Sequence, residues 1–169
     1  MTGTVEEQRT VMKSDIEFLK LTVEVSKRSR SAGNHPFGAI LVDPDGGVIE
    51  EAMNSFSVDR GPGHAEANLA RAVARKYEPE FLRRCTFYTS VEPCSMCSGT
   101  IYWANIGTLV FGLSERRLGE LTGDNPENRT QDLPCQEIFK AGRWQVEVRG
   151  PFPEVEDEVL EPHLGFWNS

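Results

Sequence analysis

Two short stretches of this 169-residue chain hold the residue types that chemistry needs. Cys94 and Cys97 follow Glu92-Pro93 and open an apolar, helix-like segment. On a helix, positions i and i+3 share a face, so both sulfurs converge on one point. A helix N-terminus also favours the thiolate, the form that binds metal. By itself C-x-x-C serves either zinc ligation or dithiol–disulfide exchange. Thirty residues before Cys94 stands His64-Ala65-Glu66, after Gly61-Pro62-Gly63. With His64 the set becomes three N/S donors, which make a catalytic zinc site when the fourth position goes to water. Zinc makes such a water acidic near neutral pH, and Glu66 is placed to take its proton and return it to a leaving group. A structural zinc site wants a fourth protein ligand, whereas Cys85, Cys135, His35 and His163 each stand alone. A redox pair, for its part, has no use for His64-Ala65-Glu66, and no tryptophan or glycine context around Cys94 suggests thioredoxin.

The pattern H-x-E followed by P-C-x-x-C resembles the signature of the cytidine deaminase-like superfamily of zinc-dependent base deaminases. The likeness runs from about Asp15 to Val148. It implies that His64, Cys94 and Cys97 hold one Zn2+ per subunit and that Glu66 is the general acid/base of a hydrolytic deamination. Pro36-Phe37-Gly38-Ala39 and Asn54 are similar to the branch of guanine deaminases and tRNA adenosine deaminases. In that branch the phenylalanine walls the base pocket and the asparagine hydrogen-bonds the purine, which implies those roles for Phe37 and Asn54. Thr100 departs from the alanine more often found there, yet Gly99 to Ala104 is similar to the guanine deaminase stretch after its second cysteine. Trp103 is accordingly a candidate pocket or lid residue, against the plainer reading of a core tryptophan.

The C-terminal segment, 150–169, resembles those that close over the site in guanine and fungal cytosine deaminases. Glu158, Glu161 and Trp167 are its candidate site residues, with Glu161 put forward as a substrate contact. The bland reading is a solvated acidic helix with an aromatic plug. The family implies a homodimer, with the tail swapped between subunits as in guanine deaminases and helix 94–103 as one interface. Guanine, hydrolysed to xanthine and ammonia, is the first substrate the likeness suggests. Wobble adenosine in tRNA, cytosine, a nucleoside, an aminotriazine, or a zinc module without catalysis are the alternatives. The net charge of −8 and the lack of an Arg/Lys-rich C-terminal helix favour a small free base over nucleic acid.

These residues need elements to position them. Residues 1–13 read as a loose leader, and Ser14 with Glu17 reads as a capping box opening a helix that ends near Gly33. Phe37 to Val42 and Val48 to Met53 flank an Asp-Pro-Asp-Gly-Gly turn and predict a hairpin. A helix is expected from about His64 to Lys76, strands at Thr86–Ser90 and Leu109–Gly112, and a helix from Cys94 to Trp103. Residues 113–133 read as a polar surface loop in which Glu115, Arg116, Arg117 and Asp124 face either substrate or water. A short helix over 136–141 and a strand over 144–148 follow. Helices alternating with strands predict an α/β fold, a three-layer α/β/α sandwich on a mixed five-stranded sheet. The length and the absence of any linker suggest one domain over 1–169. No signal peptide or membrane-length apolar run is visible, and four cysteines without a secretory signal suggest reduced thiols in the cytoplasm.

Overall fold

Ser14 and Glu17 cap one another: the serine hydroxyl accepts from Glu17 N, and the Glu17 carboxylate accepts from Ser14 N at 2.7 Å. This reciprocal pair opens helix α1, Asp15–Ser31, as its sequence predicts. The structure is a computed structural model that describes residues 13–168, so the expected leader lies, except for Lys13, outside the described residues. After α1 come β1 (Gly38–Val42), β2 (Val48–Met53), the short α2 (Phe56–Asp59), α3 (Ala65–Lys76) and α4 (Pro79–Leu82). Then follow β3 (Thr86–Val91), α5 (Ser95–Trp103), β4 (Thr108–Leu113), α6 (Glu115–Thr122), α7 (Cys135–Lys140), β5 (Glu147–Arg149) and α8 (Glu156–Leu160).

The five strands form one sheet in the order β2-β1-β3-β4-β5. The β2-β1-β3 portion is antiparallel, while β3-β4 and β4-β5 are parallel. Period-two alternation divides the side chains between two cores. Ala39, Leu41, Phe87, Leu109 and Phe111 pack with Leu69 and Val73 of α3, Ile101 of α5 and Phe139 of α7. Ile40, Val42, Tyr88 and Val110 pack with Phe18, Leu19 and Val23 of α1, Leu118 of α6, and Val155 and Val159 of the tail. The three-layer mixed α/β architecture is therefore present. It points the carboxyl ends of β3 and β4 and the N-termini of α3, α5 and α6 toward one region, where open α/β sheets bind ligands.

Two local details differ from expectation. Residues 113–133 are not all loop, because Ser114 accepts from Arg117 N at 3.1 Å and caps α6. The helix is only 8 residues long, and Gly119 interrupts its periodic pattern. That glycine leaves room for Thr130, whose hydroxyl would lie 2.7 Å from a Cβ there. The last strand is also shorter than read, Glu147–Arg149. Gly38 has a packing reason as well: a Cβ would meet Thr22 O of α1 at 2.5 Å. The close approach seats β1 on α1 and sets the position of neighbouring Phe37.

Candidate active site

His64 and Cys94 occupy the N-cap positions of α3 and α5, and Cys97 sits in the first turn of α5. The two helices pack side by side under β3, so residues thirty apart in sequence meet. His64 Nδ1 lies 3.5 Å from Cys94 Sγ and 3.4 Å from Cys97 Sγ. The three donor atoms all lie within 4.8 Å of one another. A tetrahedral zinc with ordinary Zn–N and Zn–S bonds spaces nitrogen and sulfur about 3.5 Å apart, so the donor set fits that ion in both type and spacing. Cys97 hydrogen-bonds Cys94 and holds its thiol far down, to about 4; the same contact, with burial, raises Cys97. One sulfur is thus ready as thiolate, and metal binding displaces the proton from the other.

Glu66, one residue into α3, is 4% exposed. Burial raises its carboxyl above the usual range. Its Oε1 lies 2.9 Å from Thr89 Oγ1, and its Oε2 lies 3.7 Å from Cys97 Sγ. Thr89 is on the face of β3 that carries Phe87, toward α3. Sequence reading did not single it out, since a threonine in a strand is ordinary.

A cavity of about 30 Å³ opens on this cluster. It is lined by Phe37, His64, Glu66, Cys94 and Leu118, with Val91, Glu92, Glu115, Asn128 and Thr130 completing the wall. That is room for water, and less than a heterocycle needs. Glu92 joins three segments there: its Oε2 accepts from Glu115 N at 3.1 Å and its Oε1 from Cys135 N at 2.9 Å. Ser95 Oγ donates to Gln131 Oε1 at 2.6 Å, fastening residues 128–131 to α5. Of the four charged residues first placed in the 113–133 loop, only Glu115 faces this cavity. Burial pushes its carboxyl up to about 8. Arg116 instead pairs with Asp132, Arg117 pairs with Glu120 and Glu156, and Asp124 is exposed.

Phe37 lines the cavity from the β1 side, and the tail backs it. Phe37 meets His163 edge-on at 5.1 Å, and Trp167 lies 6.2 Å beyond. Trp167 Nε1 donates to His163 Nδ1 at 3.1 Å, and Asn125 Nδ2 donates to the Trp167 carbonyl at 2.7 Å. Arg30 of α1 donates to the Pro162 and Leu164 carbonyls, both at 2.8 Å. The segment that the resemblance led one to expect swapped thus has a seat on its own chain. Asn54 is buried beside this wall, where its Oδ1 accepts from Phe56 N at 2.7 Å, but it does not line the cavity. Two candidates are not brought to the site at all. Trp103 is 76% exposed and packs edge-on to Tyr102 and Trp144 at the far end of α5. Glu161 points outward and pairs with Lys27 at 3.3 Å.

The profile of the cytidine and deoxycytidylate deaminase zinc-binding region matches residues 12–113, which span α1 to β4 and include His64, Cys94 and Cys97. The chain belongs to that family. It is a hydrolytic deaminase of the nucleobase and nucleoside class. A probable cytosine deaminase of Schizosaccharomyces pombe is 37% identical over 155 residues, covering 92% of this chain and 93% of its own. The guanine deaminase of Bacillus subtilis is 40% identical over 89 residues, 52% of this chain and 56% of its own. A crystal structure of a B. subtilis guanine deaminase superposes with a TM-score of 0.57 at 29% identity, covering 93% of this chain and 96% of that one. Among the described residues, no helix is long and apolar enough to cross a membrane.

Proposed function

We propose that this deaminase acts on a small free base that carries both an amine and a ring carbonyl, cytosine before guanine. The observation that supports it best is the likeness to the probable cytosine deaminase, which at 155 residues extends well beyond the zinc-binding region. The tail backs the Phe37 wall of the cavity, an arrangement suited to enclosing a small molecule. Guanine, the substrate first suggested by the sequence, stays the second reading on the strength of the 40% identity over the shared half. The net charge of −8 speaks against a polyanionic substrate.

His64, Cys94 and Cys97 would hold one zinc, which when bound supplies the Lewis acidity that makes water a nucleophile at neutral pH. Glu66 then does the proton work. With Oε1 held at Thr89, Oε2 is the oxygen turned toward the donor cluster. It accepts a proton from the attacking water and delivers it to the exocyclic nitrogen, which leaves as ammonia. Phe37 packs against the ring and excludes bulk water. Asn54 supports the same wall from behind through its bond to Phe56 N. The test is ammonia release from cytosine, guanine, isocytosine and adenine, with a tRNA anticodon stem-loop alongside. Release from cytosine or guanine supports the reading; turnover of the stem-loop alone overturns it.

A further inference from the structure

Two polar atoms in the cavity wall are buried and have no hydrogen-bond partner among the described residues, Glu115 Oε2 and Asn128 Nδ2. Leaving either unpaired is costly in a folded protein, on the order of 1–3 kcal/mol per group. Neither is an accident of a loose loop. Glu115 is set in place by Glu92, which accepts from its backbone N at 3.1 Å. Its other oxygen, Oε1, accepts from Gln131 N at 3.4 Å. Asn128 is tied back through its own backbone N to the Asn125 carbonyl at 3.0 Å. The residues that line the space beside His64 and Glu66 thus include one unused acceptor and one unused donor, both closed off within the wall.

We propose that this pair reads the lactam edge, –NH–C(=O)–, of the substrate: Glu115 Oε2 accepts from the ring N–H, and Asn128 Nδ2 donates to the carbonyl oxygen. The inference rests on the reading of the site as a free-base deaminase and narrows it to a substrate class. Cytosine carries such an edge with its N–H across the ring from the amine-bearing carbon, while guanine and isocytosine carry it with the N–H next to that carbon, so the fixed pair suits one of the two orders. Adenine carries none, and its unprotonated ring nitrogens would place a lone pair against the carboxylate. Sites whose buried groups need a substrate hydrogen bond reject analogues that lack it by large factors. Burial alone favours the acid form of Glu115, and the two N–H donors of Gln131 and the base favour the carboxylate, which accepts at both oxygens. A glutamine has a single acceptor and cannot meet both demands.

The test uses zinc-loaded full-length protein, wild type beside Glu115→Gln and Asn128→Ala. It follows kcat and KM for cytosine and guanine and the calorimetric Kd of uracil, a lactam without an exocyclic amine. The expected result, for whichever of the two bases wild type prefers, is a loss in kcat/KM on the order of 10- to 100-fold in each variant, carried mainly by KM. A matching rise in the uracil Kd is expected, with zinc content unchanged. Activity toward 4-aminopyrimidine, which has the amine and no lactam, should change little, so that the preference for cytosine narrows. If wild type turns over cytosine or guanine and both variants keep their kcat/KM and uracil affinity, the inference is overturned alone. If wild type turns over neither base nor isocytosine, the underlying reading fails and the inference with it. Should Glu115→Gln lose zinc or unfold, Asn128→Ala decides, because it touches neither a donor nor the Glu92 bond.

Discussion

The Thr89 hydroxyl lies 2.9 Å from Glu66 Oε1 and 3.0 Å from the Val91 carbonyl. A hydroxyl has one proton, so it serves both acceptors at once only when Glu66 brings a proton of its own. Thr89 can therefore donate to the carboxylate and accept from the carboxylic acid, the two states that a proton shuttle alternates between. Thr89→Val should lower kcat by about tenfold with KM and zinc content preserved, and Thr89→Ser should restore it. Steady-state ammonia release on the three proteins checks this. A valine variant as fast as wild type would remove Thr89 from the mechanism.

Glu66→Gln should keep its zinc and lose on the order of 10²–10⁴ in kcat, the usual size of a general acid–base contribution. Elemental analysis and single-turnover rates separate the two readouts. An active variant with normal zinc would place the proton transfer elsewhere.

The chain should bind one zinc through His64, Cys94 and Cys97, and Cys94→Ala should lower both metal content and melting temperature, because metal binding stabilises only the folded donor set. Chelation of wild type should reproduce the drop and zinc should reverse it. An unchanged melting temperature after complete metal removal would show that the cluster is not coupled to folding.

His163 gives the tail a dependence on pH. It is 1% exposed, and burial lowers its imidazole to about 3. Its Nδ1 accepts from Trp167 Nε1, which leaves the proton on Nε2, and Nε2 is buried without a partner among the described residues. Above the ordinary histidine value near 6.5 neither the folded nor the unfolded chain protonates this ring. As pH falls below that value, the unfolded chain binds a proton that the folded one refuses, so stability is lost by up to about 1.4 kcal/mol per pH unit down to about 3. Urea midpoints of wild type should thus fall between pH 7 and 5 more steeply than those of His163→Gln. Equal slopes would count against a neutral buried imidazole.

Much of the site was legible because it obeys local rules. Cys94 and Cys97 are three apart at a helix start, and helical periodicity alone places both sulfurs on one side. Ser14 with Glu17 marked the first helix, and alternation marked the strands, because caps and pleats act over neighbouring residues. The pairing of His64 with the cysteines was also readable, though from the joint pattern of motifs more than from physics. Trp103 and Glu161 lie away from the cavity in this structure, and that placement was not legible for the opposite reason. Which side of α5 or of the tail meets the cavity depends on how those elements pack, and no spacing rule encodes it.

The sequence by itself thus determined the chemistry: three donors, a carboxylate beside them, and an α/β frame in which helix N-termini meet at the ends of parallel strands. Only the tertiary structure decided what surrounds that chemistry. It folded Glu115 inward from a stretch that reads as surface loop, because Glu92, 23 residues before Glu115 and 43 before Cys135, accepts from both backbone N–H groups and draws the segment over the site. It seated Trp167 and His163 behind Phe37, through a bond from Arg30 to the Pro162 carbonyl across 132 residues and one from Asn125 to the Trp167 carbonyl across 42. Contacts of that range are set by the packing of whole layers and leave little local mark. Cys94 and Cys97 can be read three residues at a time; the walls of their cavity cannot.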